Sequence, residues 1–465
     1  MGERTSHALL ITLLAATGCA YNAQKRATDW IVVETESIRL RTSLSPERAQ
    51  EIARKLQELR DLLAGAVLRC AFREEAERIQ VTVLPTSEFE DVYPQAEGTY
   101  RGWALSWLPD YEGQIVLPNR FYSDSREVYQ HELTHQLVKE CMPRAPLWVD
   151  EGLATLLQTA TIRDGRLVVG LPAYVFRRNL TFPERGHADG VDVIEIRAGW
   201  LTPVDTVVHL PSEQFHAGSI WGGGGHRNYA TSWLLVHMLE LGADDLHSRF
   251  VAFLTGLRRV DADPEKLFAA HFGDVDLQAR LRAYILRGRY PYVVLRTAVP
   301  RRAAPLVRPM SPGEGHLQWA WLWAGVSGDK GGRHLREHLD AAERDPNTTG
   351  RAHLLAAITR ALARDLAGAE REVQVGLRAA PDDPALLHAE IDLLIARDAD
   401  PSRVAARLRP LARTADQLCS VAAADLVARD VRQALNLGLR ALQRKPTSRT
   451  CRKIVELART SMNTR

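Results

Sequence analysis

From Asp29 onward, apolar and polar positions alternate with a period of two. TDWIVVETESIRLRTSL is rich in β-branched residues in that rhythm and predicts a pair of strands starting near Asp29. The period then lengthens. SPERAQEIARKLQELRDLLAGAVL has apolar residues three and four apart, Ser45 placed as an N-cap and Pro46 at the first helical position, which predicts a helix. IQVTVLP (79–85) reads as a buried strand, and GTYRGWALSW and GQIVLP as two more. A helix is expected from about Ser125, and PLWVDEGLATLLQ (146–158) returns to a helical period after a proline-bounded loop. The order β-α-β-β-α predicts an α+β fold, a small mixed sheet packed on helices.

From Glu151 to about Leu295 the pattern is mainly helical. It is interrupted by a mixed insert (DGRLVVG, VDVIEIRAG) and by WGGGGH at 221–226. Those glycines read as a permissive connection or as flexibility beside a cleft. The proline-rich stretch RTAVPRRAAPLVRPMSPGEG (296–315) has no helical period and reads as a linker. Beyond it Ala-Arg-Asp recurs at 363–365, 396–398 and 428–430, spaced 33 and 32 apart. That period, in alanine-rich apolar sequence, resembles the helix pairs of tetratricopeptide repeats, without most of their tryptophan and tyrosine landmarks. The resemblance implies an all-α domain of helical hairpins at 316–465. Such an array offers a groove for a protein partner, or caps the preceding domain.

A length of 465 residues fits two domains plus an appendage. With 60 basic and 57 acidic residues the net charge is +3, a balance that gives no support to nucleic-acid binding as the main role. The first residues change the picture more. An apolar run from Ala8 to about Thr17 is too short to span a bilayer and leads into Ala16-Thr17-Gly18-Cys19. This resembles the lipobox of bacterial lipoproteins. It implies a signal peptide over 1–19, acylation of Cys19, a tether at 20–28, and a lipid anchor in the cell envelope, in the outer rather than the inner membrane. An exported chain can oxidise Cys70, Cys141, Cys419 and Cys451. Cys419 with Cys451 is the preferred pair, because both occupy similar places in adjacent repeats; free buried thiols are the alternative.

The chemistry concentrates in YQHELTHQLV (129–138). His131 and His135 lie one helical turn apart on one face and can offer imidazole nitrogens to one ion. Glu132 is offset by about 100 degrees, which suits a group that reaches a bound water rather than the metal. Catalytic zinc takes three protein ligands and keeps a position open. Glu151, 16 residues beyond His135 on the next helix, can supply the third. Asp150 competes for that role, but the rotation that aims Glu151 inward points Asp150 away.

His131-Glu132-Leu133-Thr134-His135 followed by Trp148-Val149-Asp150-Glu151-Gly152-Leu153-Ala154 resembles the gluzincin metallopeptidases, bacterial peptidase-MA-like domains in particular. The resemblance covers about residues 29–295. It implies one Zn2+ held by His131, His135 and Glu151, with Glu132 as general base and a peptide or protein substrate. It also implies a tyrosine on a later helix to stabilise the oxyanion, a place that Tyr229 fits. The strand at 113–118 is expected beside the site, where an extended peptide could pair with it. Aminopeptidases of the wider superfamily carry a glycine–alanine–methionine–glutamate–asparagine stretch that is absent here, which favours an endopeptidase.

Other readings compete. Cys141 stands where the metzincin pattern puts its third ligand, but Val138 replaces the glycine that lets the chain turn. His334-Leu335-Arg336-Glu337-His338 is a formal inverted motif, better explained as solvent-facing residues of a charged helix. Two alternatives remain for the whole chain: a scaffold whose repeats bind a protein beside a vestigial zinc domain, and a zinc amidase acting on cell-wall peptides.

Overall fold

The computed structural model describes residues 29–70, 78–93, 103–104, 114–119, 123–163, 166–172, 187–188, 191–193, 201–216, 224–242, 244–296, 302–324, 326, 328–445 and 448–463. The expected signal peptide, Cys19 and the tether lie outside them, as does the start of the glycine-rich loop. Among the described residues no helix is long and apolar enough to cross a membrane.

The fold is α+β, with a small sheet on the N-terminal side and a helical C-terminal region. Strands β1 (Ile31–Glu34), β2 (Ile38–Thr42), β3 (Ile79–Leu84), β4 (Trp103–Ala104) and β5 (Gln114–Pro118) join β12 (Leu306–Pro309) in the order β12-β1-β2-β3-β5-β4. β2, β3 and β5 run parallel, and the outer pairs are antiparallel. Helix α1 (Pro46–Leu62) makes the right kind of crossover between parallel β2 and β3. Ser45 caps it by accepting from the Arg48 amide, and Ile52 and Leu56 on its apolar stripe join Leu40, Val81 and Val83 in the first core. The opposite sheet face buries Trp30, Val32, Leu84 and Val116 against a second core, in which Trp30 meets Trp319 edge-on at 5.6 Å.

Two expectations need correction. The stretch read as a linker enters the sheet: β12 pairs with β1, and Met310 donates its amide to the Trp30 carbonyl at 2.8 Å. All four residues of β12 are exposed, so its sequence lacks the apolar alternation that marks a half-buried strand. The strand at 113–118 is not a free edge either, because β4 pairs with it at Val116 and Ile115.

Most of the remaining helices of the first unit follow β5. With α2 at Thr86–Val92, the motif helix is α3 (Ser123–Cys141), followed by α4 (Leu147–Leu157), two short helices α5 (Val204–Val207) and α6 (Ser212–Phe215), and α7 (Gly224–His237). Helices α8 (Asp244–Leu257), α9 (Pro264–Phe272) and α10 (Leu277–Leu286) complete this unit. The DGRLVVG and VDVIEIRAG inserts contribute β7 (Arg166–Val169) and β9 (Val191–Val193). β7 pairs with β6 (Thr161–Arg163) and β11 (Val293–Arg296), and β9 with β8 (His187–Ala188) and β10 (Arg289–Pro291).

The C-terminal region is α11 (Pro312–Ala324), α12 (Asp329–Glu343), α13 (Thr349–Leu362), α14 (Leu366–Ala379), α15 (Pro384–Ala396), α16 (Ser402–Leu408), α17 (Ala415–Val427), α18 (Val431–Arg444) and α19 (Arg449–Asn463). The recurring Ala-Arg-Asp marks turns within this helical array. Arg364, Asp398 and Arg429 adopt φ of 62°, 53° and 63°, the left-handed conformation that ends helices. The amides of Asp365 and Asp430 reach back to the Arg360 and Asp425 carbonyls, and both side chains then cap the next helix. A short polar residue that ends one helix and starts another explains the repeat physically. Cys419 and Cys451 are joined as preferred from the sequence, and Cys70 is joined to Cys141.

Candidate metal centre

Helix α3 is buried on several faces, polar residues included. Tyr129, Leu133, Leu137 and Val138 are buried in the first core, which turns His131 and His135 towards the neighbouring α4. Helix α4 is apolar nearly all round and almost wholly buried, as its composition requires. Glu151 sits in the middle of it at 4% exposure. A carboxylate in such a helix is costly unless something positive or a donor faces it.

What faces Glu151 is the histidine pair. His131, His135 and Glu151 form a group that could hold a metal ion. The two Nε2 atoms are 3.1 Å apart, and Glu151 Oε2 is 3.3 Å from the first and 3.5 Å from the second. These three atoms form an almost equilateral triangle. Glu151 Oε2 is buried and accepts no hydrogen bond despite those distances. Its other oxygen, Oε1, accepts from the Tyr229 hydroxyl at 3.4 Å.

The outer nitrogens are occupied. His131 Nδ1 lies 2.9 Å from Gln158 Oε1, and His135 Nδ1 lies 2.8 Å from Asp150 Oδ1. Both partners accept, so each Nδ1 donates, as in metal-ligating histidines whose second nitrogen is held by a carboxylate or carbonyl. Asp150 points away from the convergence of the ligand atoms, as the sequence leads one to expect, and still belongs to the site. It turns to the far side of His135, where one residue of helical rotation places it behind the imidazole rather than at the convergence of the ligand atoms.

The electrostatics of the group favour positive charge on His135. Burial pushes the Glu151 carboxyl up, but His135 and His131 outweigh it and hold the group well below the usual carboxylate range. Burial pulls His135 down, yet Asp150 and Glu151 together lift it well above an ordinary imidazole. Asp150 and Glu151 thus face one buried imidazole from its two ring nitrogens. Glu132, on the neighbouring face of α3, is pushed up by burial, with the histidines pulling the other way. Burial, then the charges of Glu151 and Glu132, raise the Tyr229 hydroxyl.

Tyr229 reaches the site because α7 crosses α4 very closely at Gly152, where a Cβ would come within 2.7 Å of the Ser232 carbonyl oxygen. His216, just past α6, places Nδ1 2.9 Å from the Tyr229 hydroxyl. Neither His216, Gln158 nor Glu127 was singled out from the sequence. Glu127 and Gln158 do leave a trace, lying four residues before His131 and seven after Glu151. A cleft of about 1620 Å³ runs from the sheet to the helical hairpins and reaches Asp150, with Gln114, Lys139, Trp321 and Arg351 among its walls.

The rival ligands are disposed of differently. Cys141 is bonded to Cys70 and offers no thiolate. In the inverted motif His334 pairs with Glu337 at 3.1 Å, while His338, expected to face solvent, is buried with Nδ1 2.9 Å from His316 Nδ1. It is the inner position of a packed hairpin, stacked on Trp319. Compared with known proteins, the chain matches no family model, no curated protein and no solved structure.

Proposed function

We propose that this chain is a zinc-dependent peptide hydrolase of the gluzincin type, acting as an endopeptidase in the bacterial cell envelope. One observation carries the reading: two imidazole Nε2 atoms and an orphaned, buried carboxylate oxygen converge with separations of 3.1, 3.3 and 3.5 Å. Zinc bonded at ~2.0–2.1 Å in a tetrahedron has ligand–ligand edges of ~3.3–3.4 Å. The donor set, two histidines and one glutamate, is also that of hydrolytic zinc sites with an open position.

Zinc held there supplies a Lewis acid and makes water ionisable near neutral pH. The chain's own groups do the rest. Glu132 takes the water proton on its carboxylate and delivers it to the departing amine; burial raises its pKa towards that double role. The Tyr229 hydroxyl exchanges its bond to Glu151 for one to the oxyanion of the tetrahedral intermediate, a contribution of ~3 kcal/mol. Asp150 and Gln158 keep the two imidazoles aimed. The two disulfides fit an exported chain, in keeping with the lipobox-like Cys19 and an outer-membrane anchor.

The decisive variant is Glu132→Gln. Zinc should remain bound while hydrolysis of a denatured protein library falls by ~10²–10⁴. Full biological function in that variant would instead support the repeat-domain scaffold. Cleavage of purified peptidoglycan but not of the library would support the cell-wall amidase.

A further inference from the structure

Glu127, His131 and His135 are spaced four apart on α3, and Glu151 and Gln158 seven apart on α4 and its C-cap, so the seam between the helices is a ladder of polar groups. It is almost dry, with Gln158 at 4% and Glu127 at 8% exposure. Gln158 Nε2 donates to Glu127 Oε2 at 3.3 Å, and its Oε1 faces His131 Nδ1 at 2.9 Å.

We propose that Gln158, oriented by Glu127, is a positioning residue that fixes the proton of His131 on Nδ1 and so keeps Nε2 bare for the metal. The inference rests on the reading of the site as a metal centre. A carboxylate only accepts, so Glu127 draws the NH₂ side of the amide. That leaves the amide oxygen, also an acceptor, facing His131, and an acceptor there requires Nδ1 to carry the proton. Neutral imidazole has one such proton, so Nε2 presents its lone pair to the point where His135 and Glu151 converge. The two ligands are thus held differently: His135 leans on a carboxylate, and His131 on a neutral amide that is itself anchored by one.

The test uses the full chain. In metal-free protein with ¹⁵N-labelled histidine, long-range proton–nitrogen correlation should show His131 as the Nδ1–H form. Gln158→Met keeps the side-chain length and removes the acceptor. It should give a mixture of tautomers and lower the affinity for zinc alone, measured against a competing chelator, by ~10–100-fold. The exchanged pair, Glu127→Gln with Gln158→Glu, keeps a donor on α3 and an acceptor towards His131, and should restore both readouts. Circular dichroism and intact disulfides serve as the folding control. An unchanged tautomer and unchanged zinc affinity in Gln158→Met would overturn the proposal, as would failure of the exchanged pair in a folded protein. A wild type that holds the proton on Nδ1, loses that preference in Gln158→Met, and yet binds no zinc would support the orienting role and defeat the metal reading instead.

Discussion

Gly152→Ala is a small change with a traceable effect on the site. Its Cβ would lie 2.5 Å from Val236 Cγ2 and 2.7 Å from the Ser232 carbonyl oxygen. The valine can rotate, but the carbonyl belongs to the α7 backbone. Helix α7 must recede by about 0.7 Å to bring 2.7 Å up to the 3.4 Å of ordinary contact. Tyr229 lies one turn earlier on α7 and moves with it. Its 3.4 Å bond to Glu151 Oε1 is already long and would be lost. Overpacking costs ~1–3 kcal/mol, and replacing a helical glycine by alanine returns ~1 kcal/mol, so the net loss of stability is ~1 kcal/mol. The catalytic effect is larger: kcat should fall ~10–100-fold, since a reacting group displaced by ~1 Å costs about that much. Steady-state kinetics on a peptide from the library digest measures it, with Tyr229→Phe as reference. If the glycine acts through the tyrosine, the double variant loses no more than Tyr229→Phe alone. Losses that simply multiply, or a destabilised protein with unaltered kcat, would refute the reasoning.

Other consequences follow from single contacts. His237 is fully buried and neutral, with Nδ1 2.8 Å from the Tyr284 hydroxyl and Nε2 3.0 Å from the Gly170 carbonyl, and burial pulls its pKa down to about 4. Its folded-state pKa is below the unfolded value of ~6.5, so its stabilisation is complete above that pH and is lost as the pH falls towards 4. Urea midpoints should therefore drop between those pH values in wild type by the equivalent of ~3 kcal/mol more than in His237→Gln, whose titration is gone; parallel slopes would disprove it. The Cys70–Cys141 bridge closes a separation of 71 residues at the end of the motif helix. Removing it as a double serine variant should cost ~4 kcal/mol of stability by chain entropy, read from denaturant unfolding. Arg364→Gly and Arg429→Gly relieve left-handed backbone in the helical hairpins, and each should raise the thermal midpoint by the equivalent of ~1 kcal/mol.

The parts of this fold that are legible in the sequence are those encoded locally. The shift from period two to period 3.6 at Ser45 places β2 and α1, and the four-residue spacing places His131 and His135 together. Glu151 is legible because it follows His135 by 16 residues on the next helix, within reach of both imidazoles after one antiparallel return. What could not be read depends on distant segments. β12 joins β1 through backbone bonds to residues more than 270 positions away, and its exposed side chains carry no pattern. His338 looks like part of a charged face until His316 and Trp319 from α11 cover it. Asp150 and Gln158 are set by the relative rotation of α3 and α4, which packing decides and neither helix specifies alone.

X-ray absorption at the zinc edge on the purified full chain decides whether His131, His135 and Glu151 hold zinc. The expected result is one zinc per chain with two imidazole nitrogens and one carboxylate oxygen at ~2.0–2.1 Å, the oxygen being lost with most of the affinity in Glu151→Ala. A chain that takes up no zinc, or one whose zinc environment is the same in wild type and in His131→Ala, His135→Ala and Glu151→Ala, would contradict it.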